Sequence, residues 1–276
     1  MPRVSENCMI AKIIVVLPTY NEAENLPVIV EQVLALPALD LHILVVDDNS
    51  PDGTGAIADQ LAAQHPARVA VMHRTEKNGL GPAYIAGFKR ALHDGADIAI
   101  QMDADGSHQP RYIPELVSML EAGADVVIGS RFTRGGGVDK TWSPYRKLLS
   151  WFANRIYVRT LLGIPVADAT AGYRAWKRAT LIGLDLDRIQ SNGYVFQVEM
   201  AYVAVRLGFH VREIPIYFPD RLRGESKMDS KIQIEAALRV WQLLARHRAL
   251  TPAMRRIDVY PSNSTAAPTT HDPQPL

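Results

Sequence analysis

Ile98-Ala99-Ile100-Gln101-Met102-Asp103-Ala104-Asp105-Gly106-Ser107-His108 is a short apolar run that ends in a polar cluster with two carboxylates one residue apart. Such a run, too short for a helix, fits a buried strand. Along an extended chain residues i and i+2 lie on the same side, so Asp103 and Asp105 face one point just beyond the strand's carboxyl end. Two unit charges about 5 Å apart at an effective dielectric of about 20 repel by roughly 3 kcal/mol. A positive group between them is required, and a hard divalent cation that also bridges a diphosphate meets that need. The plainer reading is a polar turn at Asp105, Gly106 and Ser107 with Asp103 as a helix cap.

The same arrangement repeats along the chain. Ile13 to Leu17, His42 to Val46, Val69 to Met72 and Val126 to Ile128 are further apolar runs, and helical patterns at Glu22 to Leu36, Thr54 to Gln64, Pro82 to Leu92 and Tyr112 to Leu120 separate them. Strands joined through single helices imply right-handed crossovers and a doubly wound α/β fold, its mostly parallel sheet covered by helices on both faces. Ligands of such sheets gather outside the carboxyl ends of the strands. Polar clusters follow the runs there: Pro18 to Glu22, Asp47 to Asp52, Asn78 to Gly81 and Asp103 to His108. Asp47 and Asp48 cannot both point the same way, so at most one faces a ligand, where a carboxylate accepts from a nucleobase or ribose donor. Asp52 or Thr54 reads as the cap of the following helix, and Asn21 as the cap of the first.

The chain has 276 residues and a formal net charge of +1, so no overall field recruits nucleic acid. A single cysteine, Cys8, rules out an internal disulfide and a cysteine-based zinc site, in keeping with a reducing cytoplasm. No stretch is apolar enough for a membrane span, and no signal peptide is apparent, so the expectation is a soluble or peripherally attached protein. The expected divisions are a catalytic unit over 1–229, a helical element over 230–258 that is a candidate for the membrane interface, and a disordered tail over 259–276 rich in Pro, Thr, Ser and Ala.

After Gly129 the pattern changes. Arg131 to Lys140, with Gly135, Gly136 and Gly137, reads as a mobile loop. One helix starting near Pro144 is expected over Trp142 to Leu162, where aromatic residues alternate with Arg146, Lys147, Arg155 and Arg159 and no acid occurs between Thr141 and Val166. That mixture suits either a core helix with a solvated basic side or a surface touching anionic lipid. A last helix, Ile232 to Ala249, offers Leu238, Trp241, Leu244 and Ala245 as an apolar stripe, for packing on the domain or for the membrane.

Taken in order, Pro18-Thr19-Tyr20-Asn21-Glu22, Asp47 to Thr54, Lys77-Asn78-Gly79-Leu80-Gly81, Met102 to His108, Gly129-Ser130-Arg131-Phe132, Thr170 to Ala175 and Gly224-Glu225-Ser226-Lys227-Met228 closely resemble the polyprenyl-phosphate mannose synthases, dolichol-phosphate mannosyltransferase-like members of the inverting family 2 glycosyltransferases. The resemblance implies a GT-A fold and metal-dependent transfer of mannose from GDP-mannose to a membrane polyprenyl phosphate; UDP-glucose or another nucleotide sugar is the alternative donor. It assigns Pro18, Tyr20, Glu22, Val46 and Asp48 to the base and ribose, and Asp103, Ala104 and Asp105 to the metal and diphosphate. Ser107 stands where some relatives carry a Gln metal ligand. Arg131, Arg146 and Ser150 match acceptor-phosphate positions, and Arg221 and Lys227 match donor-phosphate contacts on a lid. The implied cofactor is Mg2+ or Mn2+, and the implied location is the cytoplasmic face of a membrane, reached directly or through a membrane protein. A Rossmann oxidoreductase is disfavoured because Pro18 to Glu22 contains no glycine turn. A processive polysaccharide synthase would need a transmembrane channel.

Overall fold

The computed structural model describes residues 11–37, 39–219 and 230–257, the side chains of 230–236 excepted. Arg221 and Lys227 lie outside the described residues, as do Cys8 and the tail. The chain runs β1 Lys12–Thr19, α1 Leu26–Leu34, β2 Asp40–Asp47, α2 Thr54–Gln64, β3 Val69–His73, α3 Leu80–His93, β4 Ile98–Gln101, α4 Ile113–Glu121 and β5 Val126–Ser130. There follow β6 Gly137–Val138, α5 Pro144–Phe152, α6 Arg159–Leu162, β7 Arg174–Lys177, α7 Arg178–Leu184, α8 Gly193–Arg206, β8 Val211–Pro215, β9 Tyr217–Phe218 and α9 Ser230–His247.

Seven strands form one sheet in the order β3-β2-β1-β4-β7-β5-β8. Every pairing is parallel except those of β7, which runs antiparallel between β4 and β5. The central strand β1 is a β-branched run buried on both faces, as expected where helices cover each side. Its alternation divides the core: Ile14 and Val16 join Val46, Phe88 and Trp176 on one face, and Ile13, Val15 and Leu17 join Leu26, Ile100 and Leu116 on the other. The register sets Thr19 beside Asp47 and Val16 beside Gln101, so the polar clusters after β1, β2 and β4 emerge side by side at one edge.

Several local expectations are corrected. Asn21 does not cap a helix: its φ is +62°, and α1 begins later, at Leu26. The reason is a seam between loops, in which the amides of Asn21, Glu22 and Ala23 donate to Ser50 Oγ, Thr54 Oγ1 and Asp52 Oδ2 at 3.2, 2.9 and 3.1 Å. Residues 131–140 are not a free loop, because β6 pairs with β9 and the Arg131 end is tied down. The rod from Pro144 to Leu162 is continuous but carries a π-helical turn, Ala153–Val158, between α5 and α6. On α9 the buried stripe is Val240, Leu243 and His247, whereas Leu238 and Trp241 point outward. His247 selects that face by bonding Glu199 of α8, with Nε2 2.7 Å from Oε1.

Candidate active site

At the β1 and β2 ends, Asp47 and Asp48 diverge as alternation requires. Asp47 is spent on its own loop, accepting from the Thr19 hydroxyl at 3.3 Å and the Ser50 hydroxyl at 2.5 Å. Asp48 accepts from Arg74 Nη1 at 2.5 Å. Burial pushes the Asp48 carboxyl above its ordinary range in spite of the Arg74 cation beside it. Pro18 and Glu22 stand on the same rim with Tyr20, and the buried Val46 lies beneath it. Glu22 accepts from Asn25 Nδ2 at 2.7 Å, and Lys77 Nζ lies 3.4 Å from the centroid of the Tyr20 ring. Asp52 closes the seam, its Oδ1 accepting the Thr54 amide at 3.0 Å.

After β4 the two expected carboxylates are held by different devices. Asp103 Oδ1 accepts from the Tyr84 hydroxyl of α3 at 2.6 Å, and the Asp103 amide donates to His108 Nδ1 at 2.8 Å. Burial, reinforced by Asp103, pushes the Tyr84 hydroxyl well above its ordinary range, so it stays a donor. Asp105 is buried, and its Oδ1 accepts both the amide and the hydroxyl of Ser107, at 3.0 and 2.5 Å. Ser107 therefore orients Asp105. Ala104 between them is buried. The donor set fits a hard cation: two carboxylates from one strand end, with no group of three His, Cys, Asp or Glu among the described residues to complete a protein cage. Asp103 and Asp105 are the residues that would hold such a cation, which would supply positive charge to a phosphorylated ligand.

Beyond β5 lies a second polar centre. Arg131 grips Asp168 through Nε and Nη2 at 2.8 and 2.7 Å, its amide adds a third bond at 2.9 Å, and Nη2 also donates to Thr170 Oγ1 at 2.8 Å. Asp168 is wholly buried and the Arg131 side chain 10% exposed. Burial works against the Arg131 charge, but Asp168 outweighs it and raises the guanidinium further. Glu213 of β8 receives the amides of Ala167 and Asp168 at 2.8 and 2.9 Å, and Asn154, at the π-turn, bridges the Ser150 carbonyl and the Thr170 amide. Beneath, Arg174 donates to the Ala169 and Ala171 carbonyls, and burial lowers its guanidinium to about 9. Arg146 lies flat on Trp142, 3.7 Å from the ring centroid.

One aromatic ring joins these centres. Phe218 of β9 meets His108 at 5.7 Å and Trp142 at 6.2 Å between centroids, and the Arg131 guanidinium carbon lies 5.4 Å from its ring. From Arg131 an open groove of about 480 Å³ runs outward between Phe132, Val138, Pro144, Leu148 and Trp151, with Lys147 at its side.

A profile described as "Glycosyl transferase family 2" matches residues 14–182, more than half of the chain. The chain belongs to glycosyl transferase family 2. This glycosyltransferase is 49% identical over 236 residues to the polyprenol monophosphomannose synthase of Mycolicibacterium smegmatis, covering 84% of the chain and 88% of the relative. It is 48% identical to the undecaprenyl-phosphate mannosyltransferase of Micrococcus luteus, covering 87% and 97%. With the dolichol-phosphate mannosyltransferase of Pyrococcus furiosus it shares 37% over 84% of the chain and 64% of that protein. Glucosyl-3-phosphoglycerate synthase from Mycobacterium tuberculosis, solved with Mn2+, UDP and phosphoglyceric acid, superposes with a TM-score of 0.60 at 20% identity over 86% and 78% of the two chains. That likeness is one of fold, and it agrees with the GT-A architecture expected from the sequence.

In this family 2 glycosyltransferase the residues that sequence reasoning missed are the holders of the expected ones. Tyr84, His108 and Asp168 bond Asp103 or Arg131, and Arg74 bonds Asp48. The partners Arg131 and Asp168 are 37 positions apart. Arg131 stands in the Gly129 to Phe132 block, but Asp168 falls just outside the Thr170 to Ala175 block, and no local pattern ties the two.

Proposed function

We infer that this glycosyltransferase moves mannose from GDP-mannose to a membrane polyprenyl phosphate and inverts the anomeric carbon. The observation that carries the reading is the meeting at Phe218 of the Asp103–Asp105 strand end and the Asp168-held guanidinium of Arg131, with an apolar groove leading away. Two relatives named for polyprenyl- or undecaprenyl-phosphate mannose transfer, similar over most of the chain, support it.

The acceptor phosphomonoester has a second pKa of about 6 and is largely dianionic near neutrality, so no protein base is needed. Its oxygen bonds to mannose C1 as the C1–O bond to the diphosphate breaks, and that electron pair leaves on GDP. Arg131 orients the acceptor phosphate with guanidinium donors that Asp168 has already fixed in direction. The Nη1 donors make no hydrogen bond to a described residue. Lys147 adds positive charge at the groove and Arg146 adds it beside Trp142, and the groove takes the first isoprenes. Asp103 and Asp105 would hold Mg2+ or Mn2+, which supplies charge stabilisation to the leaving diphosphate. Tyr20, Glu22 and Asp48 form the nucleoside rim. Arg221 and Lys227, outside the described residues, are assigned to the donor phosphates by resemblance.

No helix among the described residues is long and apolar enough to cross a membrane. The bilayer contact is assigned to the rod from Pro144 to Leu162: Tyr145, Leu148, Trp151, Phe152 and Ile156 are exposed on it among Arg146, Lys147, Arg155 and Arg159. The cytoplasmic face, where anionic lipid attracts such basic segments, is the side proposed. The deciding experiment offers radiolabelled GDP-mannose, UDP-glucose and other nucleotide sugars with polyprenyl phosphate, with and without Mn2+ or Mg2+. Label entering the lipid phase only from GDP-mannose and only with metal is the expected result. Transfer from UDP-glucose instead, or transfer unaffected by EDTA, refutes the donor or the metal assignment.

A further inference from the structure

Lys77-Asn78-Gly79-Leu80-Gly81, between β3 and α3, takes no part in the mechanism above, yet it is built with care. Gly79 has φ +97°, and a Cβ added there would meet Asn192 Nδ2 at 2.1 Å; one added at Gly81 would meet the Ser191 carbonyl at 2.6 Å. Gly79 leaves room for Asn192 and Gly81 for the Ser191 carbonyl, because the head of α8 packs against this loop and Asn192 clasps it. Its Nδ2 donates to the Asn78 carbonyl at 2.8 Å, and its Oδ1 accepts the amides of Gly81 and Gly193 at 3.1 and 2.7 Å. Asn192 is itself fixed, because the amides of Gln190 and Ser191 donate to Glu199 Oε2 at 3.1 and 2.7 Å, and Glu199 is wholly buried and bonded to His247. The loop so held delivers one side chain to the rim: Lys77, whose ammonium lies 3.4 Å above the Tyr20 ring and whose charge acts on the Asp48 carboxyl. Lys77 thus joins Tyr20, just past β1, and Asp48, just past β2, the rim read above as the nucleoside side.

We propose that Lys77 is a nucleoside-recognition residue of the donor site, and that Asn192 is the positioning residue that sets it beside Tyr20 and Asp48. An ammonium with three donors meets the carbonyl and ring-nitrogen acceptors of a base, and the Tyr20 face keeps it from swinging away. The inference rests on the nucleotide-sugar reading given above.

The test measures binding of GMP and GDP to the full chain by calorimetry, with steady-state kinetics on GDP-mannose, for the wild type, Lys77→Ala, Lys77→Arg, Asn192→Ala and the Lys77→Ala/Asn192→Ala pair. Lys77→Ala is expected to weaken GMP and GDP equally, by roughly tenfold. It should raise KM for GDP-mannose alike, with kcat within about twofold and the acceptor KM unchanged, and Lys77→Arg should recover most of the loss. Asn192→Ala should shift the same constants in the same direction, and the double variant should be no worse than Lys77→Ala, because both act through one contact. Wild-type affinity in Lys77→Ala overturns the proposal, as does a loss confined to GDP, which puts the lysine on the diphosphate. Additive losses in the double variant overturn the role of Asn192. A wild type that binds neither nucleotide overturns the GDP-mannose reading first and this inference with it.

Discussion

Replacing Asp168 by Asn should damage both stability and acceptor use, and the size of each effect follows from the geometry. The carboxylate accepts three bonds from Arg131 within 2.7–2.9 Å and is fully buried, while the Arg131 side chain is 10% exposed. Asn keeps one acceptor oxygen, loses the charge and turns an NH2 toward the guanidinium donors. Breaking a buried pair by altering one partner costs about 3–5 kcal/mol, because the other charge is left uncompensated. The open groove beside Arg131 lets water reach it, which favours the lower end. About 3 kcal/mol corresponds to a fall in Tm of roughly 6–10 °C for a chain of this size. Urea denaturation of Asp168→Asn, Arg131→Met and the double variant should give a coupling of at least about 2 kcal/mol, since Arg131→Met removes the charge that Asp168→Asn strands. At a temperature where the variant is folded, KM for polyprenyl phosphate should rise while KM for the sugar nucleotide stays constant. A cost below about 1 kcal/mol, or additive single effects, would refute the claim that Asp168 is what makes Arg131 tolerable and well aimed.

Tyr84→Phe removes the 2.6 Å bond to Asp103; because the Asp103 side chain is 30% exposed and rehydrates, stability should fall by only about 1 kcal/mol, whereas turnover should fall roughly tenfold with a higher Mn2+ requirement. Unchanged metal dependence in a manganese titration would count against it. Glu199 is a pH prediction: burial raises its carboxyl, but bonds from His247 and the Ser191 amide outweigh burial and hold it below the ordinary 4.5. A depressed folded value gives stability that is present above 4.5 and lost as pH falls through the folded value, so wild-type Tm should drop in that acidic window. Glu199→Gln should be less stable at pH 7 and flatter across the window; parallel Tm curves would contradict the assignment. For the membrane contact, Tyr145→Ala with Phe152→Ala removes two exposed aromatics that do not line the groove. At about 1.5 kcal/mol each this should lower flotation with anionic vesicles roughly a hundredfold, and undiminished flotation would move the contact elsewhere.

The parallel half of the sheet was legible because each strand announces itself locally, as a β-branched run closed by a polar cluster. The antiparallel β7 was not. It spans only Arg174–Lys177, and it enters between β4 and β5 from a distant part of the chain. The position of Asp103 and Asp105 was legible for a similar reason, since the polar cluster follows its apolar run directly in the chain; β4 itself ends at Gln101, and Asp105 lies in the bend beyond it. The partners of Arg131 and Asp103 were hidden, because Asp168 and Tyr84 are brought in by tertiary packing. On α9 periodicity alone suggested Leu238, Trp241, Leu244 and Ala245, but Val240, Leu243 and His247 share a helix face equally well by spacing. The face that packs puts Val240 and Leu243 into the core and His247 on the buried acceptor Glu199, which lies 48 positions away.

If Arg131 and Arg146 serve the acceptor as proposed, these holders also divide the site's work in a way that a count of arginines conceals. Arg131 is matched one for one by the buried Asp168, so the pair carries no net charge toward a distant dianion. What it offers is direction, donors fixed in a plane before the substrate arrives, and interactions of that kind act at short range. Attraction from a distance has to come from cations with no such acid beside them. Arg146 lies on the Trp142 ring, which leaves its charge intact, and Lys147, Arg155 and Arg159 follow on a stretch that has no acid between Thr141 and Val166. The same four cations suit an anionic bilayer surface. On the reading proposed above, gathering the lipid phosphate and docking on an anionic membrane are one electrostatic task for the exposed rod. Aiming the phosphate is a separate task carried by a buried pair, and because the first is screened by salt and the second is sheltered, added salt should raise the acceptor KM while leaving kcat nearly unchanged.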